Sequence, residues 1–490
     1  MVTKAVIIAA GRGSRLKGRY ENTPKPLVPV AGVGLLKRTI LTAQRAGITD
    51  FTVVTGYRAD EIRESIQSDR QVDVAIDWVV NEAWEEGNGK SVLAAKESVG
   101  DDAFILMMSD HLIDPQIITG LRNANLAKDE CALAVDTRID RIFDEEDATK
   151  VSVNSDRIEA IGKTLENHNA IDTGVFLCNA TLFDSLSGAI ADGDDSLSGG
   201  IRSLAAEGRM RAHDIDDLFW EDVDTPESLV HAERALIRSL GKPTDGFVSR
   251  HFNRKISTRI SALLVKTPLT PNQLSISTMF LCFIAAWFVA QPTYMGLAIA
   301  GILFQFASIV DGCDGEVAKL KFLGSQFGEW VDTIADNISY LVFFSAFVYG
   351  HFQAAEENPM VLTIAWLSLG SLVVGVSMIY VYLRSSGSGS IVSFAQAFSN
   401  EVPEEQRGWF HKFSERIKFA SRRDYFAAMF CVLAVLNARW AIFWIYGIGA
   451  MVIAAAVLFF VGHMMRSRGF WPSSASVGSE EGKLISEKAD

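Results

Sequence analysis

Residues 294–319 read YMGLAIAGILFQFASIVDGCDGEVAK, and this stretch divides the chain into two kinds of protein. No residue from Tyr294 to Val310 is charged, and a helix needs ~20 mostly apolar residues to cross a bilayer. The run then ends on Asp311 and Asp314, three apart and so on one helical face. Outward from it, further segments have the same character, and the expected spans are 272–290, 294–311, 333–350, 361–383, 424–438 and 441–463, the fifth being the shortest. Arg250, Arg254, Lys255 and Arg259 precede the first span and Lys319 and Lys321 follow the second. Arg384 through Arg423 lie before the fifth, and Arg466 and Arg468 follow the sixth. The connections at 291–293 and 351–360 hold no Lys or Arg. By the positive-inside rule both termini then face the cytoplasm, as expected for a multi-pass protein of the plasma membrane type.

Upstream of residue 245 charged and apolar residues mix as in a soluble protein, and 490 residues exceed one ordinary core. Lys4–Ala10, Phe51–Thr55, Val74–Val80, Ala103–Met108, Ala132–Val135 and Gly174–Leu177 read as strands, and Leu36–Ala46 and Asp60–Gln67 as helices. The alternation predicts an α/β doubly wound domain followed by an all-α six-helix transmembrane domain, with ligands at the carboxyl ends of the strands. The expected division is a cytoplasmic domain over 1–240, an amphipathic interfacial helix over 246–266, the membrane domain over 268–468 and a disordered tail over 472–490. A surface helix of the soluble domain is the alternative for 246–266. Met1 runs into an apolar strand without a basic leader, so the first domain is expected to stay in the cytoplasm. The net charge of −13 argues against nucleic acid as a partner, because phosphate neutralisation needs clustered Lys and Arg. The five cysteines show no C-x-x-C spacing and read as reduced thiols.

Gly11-Arg12-Gly13-Ser14-Arg15-Leu16 follows the first strand, and Thr23-Pro24-Lys25-Pro26-Leu27 comes soon after. Glycines let backbone N–H groups approach phosphate oxygens, while Arg15 and Lys25 supply positive charge at a reacting phosphorus. Gly11-x-Gly13 lacks the third glycine of a dinucleotide fingerprint, and Gly89-Lys90-Ser91 lacks the first glycine of a P-loop because Trp84 stands there. The segment resembles the sugar-1-phosphate and alcohol-phosphate nucleotidyltransferases over residues 3–235, on the loop Gly11–Leu16, the Pro-Lys25-Pro-Leu segment, Asp110 and the segment Trp220-Glu221-Asp222-Val223-Asp224-Thr225-Pro226. That resemblance implies Mg²⁺, with Mn²⁺ as an alternative, on Asp110 and Asp224. It also implies a nucleotide-binding role for Gly11, Gly13, Asn88 and Ser91, and an acceptor side built from Lys163 and Asp172. The implied reaction is attack by an acceptor phosphate oxygen on the α-phosphorus of an NTP, releasing pyrophosphate.

The second constellation adds Asp332 and Asp336, four apart, to Asp311 and Asp314. Four carboxylates gathered at a membrane surface repel one another and lose hydration, and divalent metal answers both costs. Together with Gly315, Ala318 and Gly328 they resemble the D-x-x-D-G-x-x-A-R-x8-G-x3-D-x3-D signature of the CDP-alcohol phosphotransferases over about 268–465, with Lys319 in place of the usual arginine. The resemblance implies metal ligation by Asp311, Asp314 and Asp332. Asp336 would be a further ligand or the base on an acceptor hydroxyl, and Gly315 and Gly328 would make room for cytidine. Arg422 and Arg423 bind a phosphorylated acceptor or serve only as topology-determining charge. The fusion of the two resembles the bifunctional inositol-1-phosphate cytidylyltransferase / CDP-inositol:inositol-1-phosphate transferase family. It implies CTP and a polyol phosphate as substrates, a CDP-alcohol intermediate, membrane lipid as surroundings and a homodimer through the membrane domain as an option. The rivals are another polyol phosphate, a lipid hydroxyl acceptor, or an inactive scaffold, the last opposed by the presence of Lys25, Asp110, Asp224 and all four membrane aspartates.

Overall fold

A computed structural model describes residues 2–16, 20, 22–241, 245–354, 359–386 and 422–468. The chain forms two compact units, Met1–Ser239 and Leu240–Asp490. The expected tail at 472–490 and most of the basic stretch between Arg384 and Arg422 lie outside the described residues.

The first unit is built on nine strands: β1 (Lys4–Ala9), β2 (Asp50–Thr55), β3 (Ala75–Val80), β4 (Phe104–Met108), β5 (Cys131–Asp136), β6 (Lys150–Asn154), β7 (Arg157–Gly162), β8 (Ala170–Cys178) and β9 (Met210–Asp214). Their order is β3-β2-β1-β4-β8-β5-β9-β7-β6. The first four are parallel, while β8 enters antiparallel between β4 and β5. β1 and β4 are continuous apolar runs because both faces of the sheet are covered, as a central parallel strand requires. One buried cluster includes Val6, Leu106, Phe176 and Phe183, and a second includes Ile7, Ile40, Ile62, Ile105 and Ile117.

Four local devices shape the carboxyl end of this sheet. The short strand His111–Ile113 pairs antiparallel with Trp220–Asp222, setting His111 opposite Asp222. The N–H of Val223 donates to the carbonyl of Asp110 at 3.1 Å, which brings the loops of Asp110 and Asp224 together. Directly after Asp224, a capping box of Thr225 and Ser228 starts the helix Pro226–Arg238 and pins that loop. In β8 the register shifts between Asp172 and Phe176. Such a bulge re-aims side chains beside a site.

The second unit contains α1 (Arg254–Leu264), α2 (Pro271–Val289), α3 (Tyr294–Leu320), α4 (Gln326–Ala354), α5 (Pro359–Ser386), α6 (Arg423–Val435) and α7 (Arg439–Arg468). Among the described residues five helices, Pro271–Val289, Tyr294–Leu320, Gln326–Gln353, Pro359–Arg384 and Arg439–Phe459, are long and apolar enough to cross a membrane. The expected fifth span at 424–438 corresponds to α6, whose 13 residues fall short of the ~20 that spanning takes. Thr270 and Gln273 form a capping box at the start of α2. Aromatic rings fill the interior: Phe304 stacks on Phe343 with centroids 4.1 Å apart, and Phe430 packs edge-on against Phe343 at 5.0 Å. α1 buries Ser257 and Ser261, with Asn253 just before them, at helical spacing, and leaves Phe252 and Leu263 exposed.

Candidate active sites

In the first unit a short turn at Lys25–Leu27 carries Lys25, whose side chain is 10% exposed. Its Nζ sits between two carboxylates, 2.5 Å from Asp110 Oδ2 and paired with Asp224 Oδ1. Gly13 makes this placement possible: its φ is +66°, and any Cβ there would overlap the side chain of Lys25. Arg15 pairs with the other oxygen of Asp224 at 2.6 Å and also with Asp147, which in turn holds Lys163 at 2.8 Å. Burial opposes a charge on Lys25, but Asp110, Asp224 and Asp222 outweigh it and hold the ammonium above its ordinary range. Burial likewise pushes the Asp110 carboxyl up, yet Lys25 and His111 hold it at about 2.

His111 completes the arrangement. Its Nδ1 donates to the carbonyl of Thr173 at 2.6 Å, which leaves Nε2 facing Asp110 at 3.8 Å and Asp222 at 3.6 Å. Gly174, with φ +72°, leaves the space that the imidazole occupies. Ligand atoms of Asp110, His111 and Asp222 all lie within 4.8 Å of one another. Two carboxylates and an imidazole whose other nitrogen is bound to a carbonyl make a donor set that fits a divalent cation. Burial favours the neutral ring, but Asp222 and Asp110 outweigh it and raise the His111 pKa. Burial also pushes Asp222 and Asp172 up to about 6.

A cavity of about 630 Å³ opens beside these groups and is lined by Arg15, Asn88, Asp110, Lys163, Asp172 and Asp224, all singled out from the sequence. His111, Asp147 and Asp222 line it too and were not foreseen. Asp222 carried a readable signal two residues before Asp224, and His111 one residue after Asp110, whereas Asp147 belongs to a loop without a motif. The hydroxyl of Ser91 is turned into a buried bond with Asn81 Nδ2 at 2.9 Å. Asn88 Oδ1 accepts from the N–H of Leu197 at 2.8 Å, and a Cβ on Gly11 would meet nothing within 4 Å.

In the second unit α3 presents Asp311 and Asp314, and α4 presents Asp332 and Asp336. Oxygens of Asp311, Asp314 and Asp332 lie within 4.8 Å of one another. An all-carboxylate set fits a hard divalent cation. Ser275 donates to Asp314 Oδ2 at 2.5 Å. Arg423, at the start of α6, pairs with both Asp311 and Asp336, and its guanidinium lies 5.4 Å from the Tyr340 ring centroid. Its Nε and Nη2 are buried without a partner among the described residues. The two arginines therefore part company: among the described residues the side chain of Arg422 pairs with Asp424 alone, at 3.5 Å. A Cβ at Gly315 would meet nothing within 4 Å, so space is open there, while at Gly328 it would come within 3.1 Å of Asn272 Oδ1 and 3.2 Å of Ser325 Oγ.

The two units match two family models, a MobA-like NTP transferase domain over residues 5–211 and a CDP-alcohol phosphatidyltransferase over residues 268–461. Both families use divalent metals, and each unit holds a group of metal-ligating side chains. A bifunctional IPC transferase and DIPP synthase of Thermococcus kodakarensis is 38% identical over 76% of this chain and 81% of its own length. The protein of the same name from Archaeoglobus fulgidus is 32% identical over 90% of this chain and 81% of its own. Among solved structures, the inositol-1-phosphate CTP transferase from T. maritima is 25% identical over 48% of this chain and 96% of its own, with a TM-score of 0.43. With an NTP transferase unit, a CDP-alcohol phosphotransferase unit and relatives matched along most of both lengths, the chain belongs to the family of bifunctional IPC transferase and DIPP synthases, membrane enzymes with two transferase activities.

Proposed function

We propose that the N-terminal unit uses CTP to cytidylylate inositol 1-phosphate and that the membrane unit transfers the inositol phosphate from CDP-inositol to a second inositol 1-phosphate. The observation that carries the reading is the coexistence of two acidic groups, one beside Lys25 and one formed by Asp311, Asp314 and Asp332. In the first reaction a phosphate oxygen of the inositol phosphate attacks the α-phosphorus of CTP, and the bond to pyrophosphate breaks. Lys25 and Arg15 neutralise charge on the phosphates. Gly11, Gly13, Asn88 and Ser91 form the nucleotide side, and Lys163 and Asp172 the acceptor side. Asp110 and Asp224, with His111 and Asp222, would hold Mg²⁺, and Mn²⁺ would serve in its place.

In the second reaction a hydroxyl of the acceptor attacks the phosphorus that carries inositol, and the bond to CMP breaks. Asp311, Asp314 and Asp332 would hold metal, Asp336 would complete that set or take the hydroxyl proton, and Gly315 and Gly328 would border the cytidine. A divalent ion at either place supplies Lewis-acid neutralisation of phosphate charge. Arg422 and Arg423 would meet the acceptor phosphate. The same reading takes α6 as a sixth, short span, 246–266 as an interfacial helix, 1–240 and 268–468 as the catalytic domains, and both termini as cytoplasmic at a plasma membrane. Contact with membrane lipid and a homodimer through the membrane domain belong to it as well. A lipid hydroxyl as acceptor is the second reading, favoured by the engagement of Arg423 with Asp311 and Asp336 rather than with open space. The test is to incubate purified protein with Mg²⁺, CTP and a panel of polyol phosphates and to identify the products by mass. A phosphorylated di-inositol phosphate in the aqueous phase is expected. Product confined to the lipid phase selects the second reading, and no CDP-polyol from any member of the panel overturns both.

A further inference from the structure

Glu316 lies two residues beyond Asp314 on α3, and its side chain is 1% exposed. A buried carboxylate is expensive unless it is paired, and nothing in the reaction proposed for this unit calls on it. At about 100° per residue a two-residue step turns a side chain to the opposite flank of the helix. Glu316 therefore points away from the group formed by Asp311, Asp314 and Asp332. There it accepts from Ser257 Oγ at 2.7 Å and from Arg254 Nη1 at 2.5 Å, both on α1. The guanidinium of Arg254 is itself held from behind by Asp245, at 2.9 and 3.2 Å. Just ahead of α1, Asn253 accepts from Gln305 Nε2 of α3 at 2.9 Å.

The same arm reaches the other wall of the site. Asp424 directly follows Arg423 on α6, and its Oδ2 accepts from the backbone N–H of Ser249 at 2.8 Å. Gly246 allows that approach, because a Cβ there would overlap the Asp424 carboxylate. One short segment thus grips α3 two residues from Asp314 and α6 one residue from Arg423.

We propose that the segment 245–264 is a positioning clamp for the membrane-domain site, setting the rotation of α3 through Arg254 and Ser257 on Glu316 and the seat of Arg423 through the N–H of Ser249 on Asp424. This rests on the reading of the membrane unit as a CDP-alcohol phosphotransferase. A group that orients metal-ligating side chains from behind is worth roughly 10- to 100-fold in activity or metal affinity.

The test uses the full chain in lipid nanodiscs with supplied CDP-alcohol. Arg254→Ala and Glu316→Ala are each expected to lower kcat roughly 10- to 100-fold with KM for the CDP-alcohol nearly unchanged. Both should weaken Mn²⁺ binding measured by electron paramagnetic resonance. Both should also speed hydrogen exchange at the cytoplasmic end of α3 in metal-free protein. The loss in the double variant should fall short of the product of the two single losses, because the contact between Arg254 and Glu316 is shared while Asp245 and Ser257 are each lost in one variant alone. Arg254→Lys should recover part of the rate, since an ammonium cannot hold Asp245 and Glu316 as a planar fork does. If Arg254→Ala does not accumulate in membranes, Glu316→Gln carries the test, because it keeps the acceptor for Ser257 and removes the charge. Wild-type kcat and exchange in both single variants, or losses that multiply in the double one, overturn the clamp. Asp332→Asn separates the two levels. Transfer retained in Asp332→Asn overturns the transferase reading, and with it the clamp. An inactive Asp332→Asn beside wild-type Arg254 and Glu316 variants overturns the clamp alone.

Discussion

Gly13 and Lys25 act as one unit, because the lysine side chain occupies the volume that a Cβ at residue 13 would need. Gly13→Ala would also hold a β-carbon in left-handed backbone, at a cost of about 1–2 kcal/mol. The expected outcome is a fall of at least about tenfold in kcat/KM for CTP, as a displaced catalytic group produces, with transfer from supplied CDP-alcohol unchanged. Steady-state kinetics of both half-reactions check this. Asp172 supplies a pH prediction. Burial raises its pKa from 3.8 to about 6, so between those values the folded state holds a proton that the unfolded chain has released. Stability is therefore lost as pH rises from about 4 to 6 and stays lower above it, by up to about 3 kcal/mol for a two-unit gap. Asp172→Asn should slow hydrogen exchange across β8 at pH 7.5 and leave it nearly unchanged at pH 4. Asp110 runs the other way: its carboxyl, held at about 2, adds stability above the ordinary carboxylate range that is lost as pH falls.

At the scale of elements, α3 and α4 each present two aspartates to one place, so removal of one charge should be felt by the whole set. Asp332→Asn is expected to lower CDP-alcohol transfer by two orders of magnitude or more, roughly the cost of removing a group that acts only at the transition state, with CDP-polyol synthesis intact. Assays with CTP and with supplied CDP-alcohol separate the two. The elements themselves were unevenly legible. β1, β2, β4, β5 and β8 stand out in the sequence as apolar runs, because strands covered on both faces need no polar alternation, whereas β3, an edge strand with no fully buried residue, stands out through Ile76, Trp78, Val79 and Val80. β6, β7 and β9 were missed for the opposite reason: Lys150–Asn154, Arg157–Gly162 and Met210–Asp214 mix charged and apolar residues and are only partly buried. The paired aspartates were legible from spacing alone, since helical periodicity places them on one face. The pairing of His111 with Asp222 was not, because a two-strand contact more than a hundred residues apart leaves no local pattern.

Across the whole molecule, two phosphoryl chemistries with different leaving groups are carried by two units with separate cores. Asp110→Ala should abolish CDP-polyol formation while transfer from supplied CDP-polyol proceeds at the wild-type rate, and product analysis with each substrate checks it. Loss of both activities in a folded variant would show that the units do not work independently. Charge sorting between loops made the division into units readable, whereas the clamp of Arg254 on Glu316 was hidden among residues that looked like topology-determining charge and a signature's variable position. The seat of Arg423 between Asp311 and Asp336 bears on how the protein is made. Translation runs from the amino end, so the ribosome delivers both aspartates to the membrane long before it delivers their arginine. Until α6 emerges, the nascent bundle holds carboxylates without their counter-ion, and a chain released before residue 422 would keep that deficit for good.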